Sequence, residues 1–148
     1  MNVIKKINRF GWADWGLNEC YINSEKVFVK LSYYTGDYNR DGTLKKEGER
    51  EVHATINCNN FIGFSLIGHW DESTIEDIRI EPKGDLITNS LQEVKRLYGD
   101  PPFPLGMGVM SIDGPWHQLN IKLIDGNIVK VACQSFNFEC FECFECFE

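Results

Sequence analysis

The chain of 148 residues lacks the features that mark membrane and exported proteins. None of its apolar runs approaches the roughly 20 residues that a membrane-spanning helix needs. Its N-terminus has early positive charge but neither an apolar core segment nor a small-residue cleavage site, so the sequence predicts no signal peptide. We therefore expect a cytoplasmic protein that does not use a membrane as its partner.

An excess of positive charge is also missing. The chain has 15 Lys and Arg residues against 22 Asp and Glu residues, which gives a formal net charge of −7. Proteins that bind nucleic acid neutralise its phosphates with clustered Lys and Arg, so this balance argues against nucleic acid as a direct ligand. An acidic domain instead suits a basic protein partner.

Residues with the pattern of a catalytic site are scarce. Only three His residues are present, and the sequence contains no nucleophile elbow. Ser111, Asp113 and His117 supply the residue types of a catalytic triad within a short segment, but a triad depends on geometry rather than on proximity in sequence. We predict that the protein is not an enzyme and that it uses no cofactor.

The six cysteines do not have the spacing of a secreted disulfide framework. Three of them stand singly in apolar strand patterns, where a free thiol packs like a small hydrophobic group. These predicted buried thiols are Cys20, Cys58 and Cys133.

The other three cysteines, Cys140, Cys143 and Cys146, belong to a Phe-Glu-Cys repeat that ends the chain. A perfect tandem repeat at a terminus is typical of an appendage, because added residues are tolerated there. We therefore expect one domain over residues 1–138 and a tail over residues 139–148, with no metal bound. The alternative is a zinc site, since the Cys-x-x-Cys-x-x-Cys spacing permits metal ligation.

Alternation of apolar and polar residues predicts half-buried antiparallel strands. The pattern is clearest at residues 26–34 and 51–58, which we expect to pair as a hairpin with a long polar loop. A denser apolar run at residues 61–67 predicts a strand that is buried on both faces. Further strands are predicted at residues 17–23, 75–81 and 109–112.

One helix is predicted in the second half of the chain. Ser90 and Glu93 have the spacing of a capping box, in which each side chain bonds the backbone N–H of the other residue. Gly99 is placed to end the helix, and the earliest start that the pattern allows is Leu86. The predicted apolar stripe consists of Leu91, Val94, Leu97 and Tyr98.

The strongest short-range signal lies in residues 116–138, where two alternating apolar runs flank Asp125 and Gly126. A three-residue loop would place the apolar residues of both runs on one face, whereas a slip of one residue would move a whole set to the other face. We therefore predict a three-residue loop with Gly126 or Asn127 at positive φ. The elements together predict an α+β domain, mainly an antiparallel β-sheet or sandwich of seven to eight strands with one short helix.

Residues 37–42, Asp-Tyr-Asn-Arg-Asp-Gly, match the opening of a calcium-binding loop. The complete pattern requires a bidentate Glu at the position of Gly48. We expect a polar hairpin loop, because Asp and Asn favour turns. Calcium binding at this loop, in a small metal- or ligand-binding β domain, is kept as an alternative function.

The most acidic internal segment, residues 71–81, has five acidic residues and one basic residue, and Trp70 precedes it directly. A solvated strand face is the simplest explanation of such a segment. The functional explanation is a docking surface, because clustered charge steers a partner and an aromatic residue anchors it. The predicted partner-binding residues are Trp70, Asp71, Glu72, Glu76, Asp77 and Glu81, with Asp37 and Asp41 from the polar loop.

The C-terminal half of the chain carries a family resemblance. Downstream of the predicted helix at residues 90–99, the chain has the pattern Leu-x-Ile-x-Leu-x-Asp-Gly-x-Ile-Val-x-Val-x-Cys. The residues that carry the resemblance are Trp116, Leu119, Ile121, Leu123, Asp125, Gly126, Ile128, Val131 and Cys133. In this pattern the chain resembles bacterial immunity proteins of polymorphic toxin systems, including those of contact-dependent growth inhibition. These residues are structural, so no functional position is carried over.

The resemblance implies a stoichiometric inhibitor, which binds the C-terminal toxin domain of a cognate effector and covers its active site. Such toxins are often nucleases with basic substrate grooves, in which an acidic inhibitor takes the place of nucleic acid. Charge complementarity would then accelerate the encounter and disfavour wrong partners.

Overall fold

The computed structural model describes residues 2–34, 51–67, 73–100 and 114–143, and these form two antiparallel sheets and two helices. The elements in chain order are α1 (Val3–Arg9), β1 (Gly16–Asn23), β2 (Lys26–Tyr34), β3 (Glu51–Asn59), β4 (Gly63–Ile67), β5 (Ile75–Glu81), α2 (Asp85–Tyr98), β6 (His117–Leu123), β7 (Ile128–Cys133) and β8 (Ser135–Cys143). The first sheet has the strand order β1-β2-β3-β8, and the second sheet has the order β4-β7-β6-β5. The predicted α+β class, with up to eight antiparallel strands, is confirmed.

The two sheets pack face to face and share one apolar core. Alternate residues of each strand point inward, because successive side chains of a strand lie on opposite faces. Full burial of one such Val, Ile or Leu side chain stabilises the fold by about 2 kcal/mol. The strand residues of the core are Leu17, Val27, Val29, Leu31, Ala54, Ile56, Cys58, Ile75, Ile78, Ile80, Leu119, Ile121, Leu123, Val129, Val131, Cys133 and Phe136.

Two neighbouring strands pass together from one sheet into the other. β3 leads into β4, and β7 leads into β8 through Gln134. At this corner the Gln134 N–H donates to the Asn59 carbonyl oxygen (3.1 Å), and the Ile62 N–H donates to the Ala132 carbonyl oxygen (2.8 Å). The backbone ladder therefore continues around the corner and fixes the two sheets relative to each other.

Helix α1 is a correction to the single predicted helix. The Lys5 N–H donates to Asn2 Oδ1 (2.8 Å), which caps the first turn. Ile7 is fully buried, and the Asn8 amide forms two hydrogen bonds with the backbone of Ile80 (3.0 and 2.7 Å). The helix thus closes the side of the sandwich between β5 and β8. Seven residues are too few for a helical period to stand out in a sequence window.

Helix α2 starts earlier than the predicted capping box. Its N-cap is Gly84, so Ser90 lies inside the helix and the predicted box is wrong. The C-terminal end at Gly99 is confirmed: this residue has φ 79° and its N–H donates to the Lys95 carbonyl oxygen (2.8 Å). The predicted apolar stripe is buried only in part, since Leu97 is 55% exposed.

The C-terminal hairpin has the predicted register. Ile121 lies opposite Val129, and Leu119 lies opposite Val131. The Leu123 N–H donates to the Asn127 carbonyl oxygen (2.9 Å), so the loop has three residues, and Gly126 has φ 91°. The pairing of β2 with β3 as a hairpin is also confirmed.

Two further predictions concern strand ends. The sequence predicts a strand at residues 61–67 with both faces buried. The burial is wrong, because β4 is an edge strand and Ile67 is 66% exposed. Strand β8 pairs with β3 as far as Cys143, so the boundary expected at residue 138 falls inside a strand. The polar loop at residues 35–50 and the strand predicted at residues 109–112 lie outside the described residues.

Neither of the helices in the described part of the chain is long and apolar enough to cross a membrane.

Candidate functional site: a charged groove on the second sheet

The described part of the predicted docking surface lies on β5. Glu76, Asp77 and Glu81 are found there, and a bulge at Glu76 interrupts the pairing with β6. Asp77 and Glu81 line a groove on the outer face of the second sheet. The other predicted contact residues lie outside the described residues: Trp70, Asp71, Glu72, Asp37 and Asp41.

The groove has a volume of about 420 Å³ and lies where the start of α2 meets the second sheet. Three acidic and three basic residues line it together with two amides and Ile128. Its charged and amide residues are Asp77, Arg79, Glu81, Asp85, Gln118, Asn120, Lys122 and Lys130.

Strand register arranges these residues in rows across the sheet. Asn120 on β6 lies directly opposite Arg79 on β5 and Lys130 on β7. Lys122 lies opposite Asp77. Directly opposite residues of antiparallel strands have their Cβ atoms about 5 Å apart on the same face. The centre of the groove is therefore a row of hydrogen-bond donors with acidic residues on either side.

Gln118 is the residue that joins the sheet to helix α2. Its side chain is 2% exposed, and its Oε1 accepts from the backbone N–H groups of Leu86 (2.9 Å) and Ile87 (3.3 Å). Its Nε2 donates to Asp85 Oδ1 (3.0 Å) and to Asn120 Oδ1 (2.8 Å). The first N–H groups of a helix lack partners within the helix, so Gln118 provides from another strand the cap that Gly84 has no side chain to give.

Gly84 is required for the close approach of this cap. A Cβ atom at position 84 would lie 2.1 Å from Gln118 Oε1. The backbone of Gly84 is extended, with φ 179°, so the requirement is for space and not for an unusual conformation. The sequence gives no sign of this contact, because it joins positions 34 residues apart.

Asp85 is held in its ionised form. Lys130 Nζ donates to Asp85 Oδ2 (2.8 Å). This hydrogen bond, with the one from Gln118, lowers the pKa of the Asp85 carboxyl from 3.8 to about 2. The Asp85 side chain is 61% exposed and that of Lys130 is 21% exposed, so solvent screens the pair on one side.

The other charges of the face form weaker pairs. Arg79 Nε lies 3.4 Å from Asp77 Oδ2, and Lys122 Nζ lies 3.5 Å from Glu76 Oε2, with all four side chains at least half exposed. Exposed pairs of this kind contribute about 0–1 kcal/mol each. The face that is acidic in the sequence therefore has charges of both signs in the structure, and its exposed ion pairs are weak.

Sequence reasoning missed six charged or amide residues of the groove: Arg79, Asp85, Gln118, Asn120, Lys122 and Lys130. One signal could have found two of them, because the predicted register of the hairpin already places Asn120 opposite Lys130. The contacts of Asp85 and Gln118 require the position of α2 on the sheet, which no local pattern contains.

The alternative metal sites lie largely beyond the described residues. The loop at residues 37–42 and Cys146 are outside them, and Cys140 is exposed on β8. Within the described ranges no group of three or more His, Cys, Asp or Glu residues is arranged to hold a metal ion. Ser111 and Asp113 also lie outside, while the His117 ring is 6.2 Å from that of Phe136.

The core cysteines are free thiols, as predicted. Cys58 and Cys133 are fully buried, and Cys20 is half-buried. A hydrogen bond with Cys133 and burial raise the pKa of the Cys58 thiol well above its ordinary value. Burial also raises the pKa of Cys20 to about 11, so these thiols are poor nucleophiles at neutral pH.

Comparison with protein-family models, with curated proteins and with solved structures finds no match to this chain.

Proposed function

We propose that this protein is an immunity-type inhibitor, which binds a cognate toxin domain with a basic surface and covers its active site. The groove face of the second sheet is the proposed docking surface. The proposed site of action is the cytoplasm. The C-terminal hairpin pattern supports the family, and the charged groove supports the binding mode.

The observation that carries the proposal is the arrangement of charged side chains of both signs around one groove. Asp77 and Glu81 are brought together there with Asp85, which is near them in space because α2 starts on the same face. As many basic as acidic residues line the groove, so the formal net charge of −7 of the whole chain attracts a basic partner, and the groove fixes the positions that the partner's charges must take. A nuclease toxin would present such a surface, since its substrate is negatively charged.

The basic residues of the groove would contribute to the choice of partner rather than to the rate of encounter. Arg79, Lys122 and Lys130 stand between the acidic residues at fixed positions of the sheet. A partner that places a basic group against one of them is repelled, so only a matching pattern of both signs binds well. Mixed charge therefore fits an inhibitor that must recognise one toxin and not its relatives.

Rigidity of the surface supports tight inhibition. The groove residues are on three paired strands and on the capped first turn of α2. Less ordering is needed on binding when the backbone that carries the contact residues is already fixed, and affinity rises accordingly.

Co-expression with the C-terminal domain encoded by the adjacent upstream reading frame, which we expect to be the toxin, tests the proposal. We expect the two chains to co-purify and the toxin's nuclease activity to be lost at a one-to-one ratio. A variant with Asp77→Asn and Glu81→Gln, which alters the acidic groove residues of β5, should bind about 10-fold more weakly at low salt, with a smaller effect of added salt.

The matched control is the variant with Glu19→Gln and Glu139→Gln, which removes the same charge from the outer face of the first sheet. It should bind as the unchanged protein does. Equal weakening by both variants would show that only overall charge matters and would contradict the groove as the docking surface. Absence of binding to the neighbouring toxin domain would contradict the proposed function itself.

A further inference from the structure

We propose that the centre of the groove is a binding site for a carboxylate group, formed by Arg79, Asn120 and Lys130. The site is basic at its centre, whereas the proposed docking of a basic partner uses the surrounding acidic residues. It does not depend on the identity of that partner.

The direction of the Asn120 amide follows from a chain of hydrogen bonds that starts at the backbone. The N–H groups of Leu86 and Ile87 can only donate, so the Gln118 atom that faces them is the oxygen. The Gln118 nitrogen must then face Asn120, and the Asn120 atom that meets it is the oxygen. The Asn120 NH₂ group is left to point away from Gln118, and among the described residues it has no acceptor.

Two cationic side chains flank this amide in the same row. Arg79 and Lys130 are the directly opposite neighbours of Asn120 on the two adjacent strands. With Asn120 at the centre, the row offers a guanidinium, an amide NH₂ and an ammonium on one face. All three donate and none accepts, so the complementary ligand group is an anion.

The acidic residues of the rim select a singly charged anion. Asp77, Glu81 and Asp85 line the same groove and would repel a phosphate dianion more strongly than a carboxylate. A carboxylate also matches the planar fork of a guanidinium with two parallel hydrogen bonds.

Occupation of the site requires little rearrangement. The ion pair of Arg79 with Asp77 is long (3.4 Å) and more than half of the Arg79 side chain is exposed, so a carboxylate can replace Asp77 at low cost. Lys130 keeps its short bond to Asp85 (2.8 Å), which holds the ammonium beside the bound group. If the protein docks on a toxin domain, we expect an Asp or Glu side chain of that domain to enter this position.

Titration of the ¹⁵N-labelled chain with acetate tests the site without any toxin. We expect the side-chain NH₂ signals of Asn120 and the Nε–H signal of Arg79 to shift and to saturate. Phosphate at pH 8 and sodium chloride, both at matched ionic strength, should give smaller shifts that do not saturate. Saturation by phosphate at lower concentrations than acetate would overturn the assignment to carboxylates.

Asn120→Asp is the decisive variant. It keeps the oxygen that accepts from Gln118 and replaces the NH₂ donor with a negatively charged acceptor, so acetate should no longer shift the Arg79 signal. Asn137→Asp, at an exposed position on β8 in the first sheet, is the matched control and should leave the titration unchanged.

A second variant tests the site in case Asn120→Asp does not fold. Arg79→Gln alters an exposed side chain and should weaken acetate binding at Asn120 at least 3-fold while the spectrum elsewhere is preserved. Unchanged acetate titration in Asn120→Asp or Arg79→Gln would overturn the proposal, as would an equal loss in the Asn137→Asp control. None of these results depends on toxin binding, so the two proposals can fail separately.

Discussion

The outer faces of the two sheets are built in different ways. On the first sheet the side chains pair with their neighbours across the strands: the rings of Tyr21 and Phe28 stack at 5.0 Å, and those of His53 and Phe141 stack at 6.0 Å. On the second sheet the contacts run from the sheet to helix α2 through Gln118. The side-chain contacts of the first face are therefore local, although the buried Oδ1 of Asn57 accepts no hydrogen bond from the described residues, whereas the second face depends on an element from elsewhere in the chain.

This difference is the reason for placing the proposed docking surface on the second sheet. Side chains that stack on each other have less surface left for a partner to contact, as with the ring pairs of the first sheet. On the second sheet the buried amide of Gln118 fixes the positions of Asp85 and Asn120, which line an open groove. Buried polar groups with all of their hydrogen bonds made give a site rigidity and a defined direction. The proposed recognition therefore uses the second sheet.

The largest expected effect is on the link between the second sheet and α2. Gln118→Ala leaves the N–H groups of Leu86 and Ile87 without their acceptor and should lower the free energy of unfolding by about 3 kcal/mol. Gly84→Ala should cost about 2 kcal/mol, because its Cβ would displace the Gln118 amide. Urea unfolding of both variants measures these losses.

The double variant sharpens the same test. Once Gln118 is shortened, the methyl group of Ala at position 84 has room, so Gly84→Ala should cost almost nothing in the Gln118→Ala protein. A double-mutant cycle then gives a coupling of about 2 kcal/mol. Additive losses would contradict the contact between these two residues.

The packing of α2 on β4 gives the next largest effect. A Cβ atom at Gly63 would lie 2.2 Å from Ser90 Oγ and 3.1 Å from Leu86 Cγ, so Gly63→Ala should destabilise the protein by about 1–2 kcal/mol. Gly11→Ala is the control, since nothing lies within 4 Å of its Cβ position, and thermal unfolding should not distinguish it from the unchanged protein. A Gly63→Ala protein as stable as that control would argue against the described position of the helix.

A stabilising change is expected on the first sheet. Asn57 Oδ1 is buried and accepts no hydrogen bond from the described residues. Replacement of Asn57 by Thr removes an unsatisfied acceptor and adds a residue that favours strands, so stability should rise by about 1 kcal/mol. A loss of stability on calorimetry would show that the Asn57 side chain makes a stabilising contact, which would contradict its unsatisfied oxygen.

The smallest effect is the acid dependence of Asp85. Its pKa of about 2 in the folded protein lies below the ordinary 3.8, so its ionised form stabilises the fold above pH 4, and this contribution disappears as the pH falls towards 2. The side chain is 61% exposed, which limits the contribution to about 1 kcal/mol or less. Between pH 5 and pH 2.5 the stability of Asp85→Asn should fall less than that of the unchanged protein, and parallel curves would contradict the ion pair.

The features that the sequence predicts well are those that repeat at short range. The register of β6 and β7 follows from the alternation of Leu119 and Ile121 with Val129 and Val131 around a Gly turn. Features that depend on contacts between distant residues are those that it misses. Ser90 and Glu93 satisfy the local rule for a helix start, but the N-cap of the helix is Gly84, six residues earlier, where Gln118 supplies the capping oxygen.

In the candidate site, too, the residues that are close in sequence could be predicted and the contacts between distant residues could not. Glu76, Asp77 and Glu81 form a contiguous acidic segment and are visible in the sequence. Their basic counterparts come from other strands, so the mixed charge of the groove appears only when the strands are paired. Asn2 and the spacing of Ile4 and Ile7 were the available signals for α1, but a helix this short depends mainly on tertiary packing for its stability.

Hydrogen exchange of this chain, alone and mixed with the domain encoded by the adjacent upstream reading frame, is the most direct test of the proposed recognition by the second sheet. Amides of β5, β6 and the first turn of α2 should become more protected on binding, while those of β1, β2 and β3 should exchange as in the free protein. Protection confined to the first sheet, with exchange at residues 76–87 and 118–122 unchanged, would contradict the account.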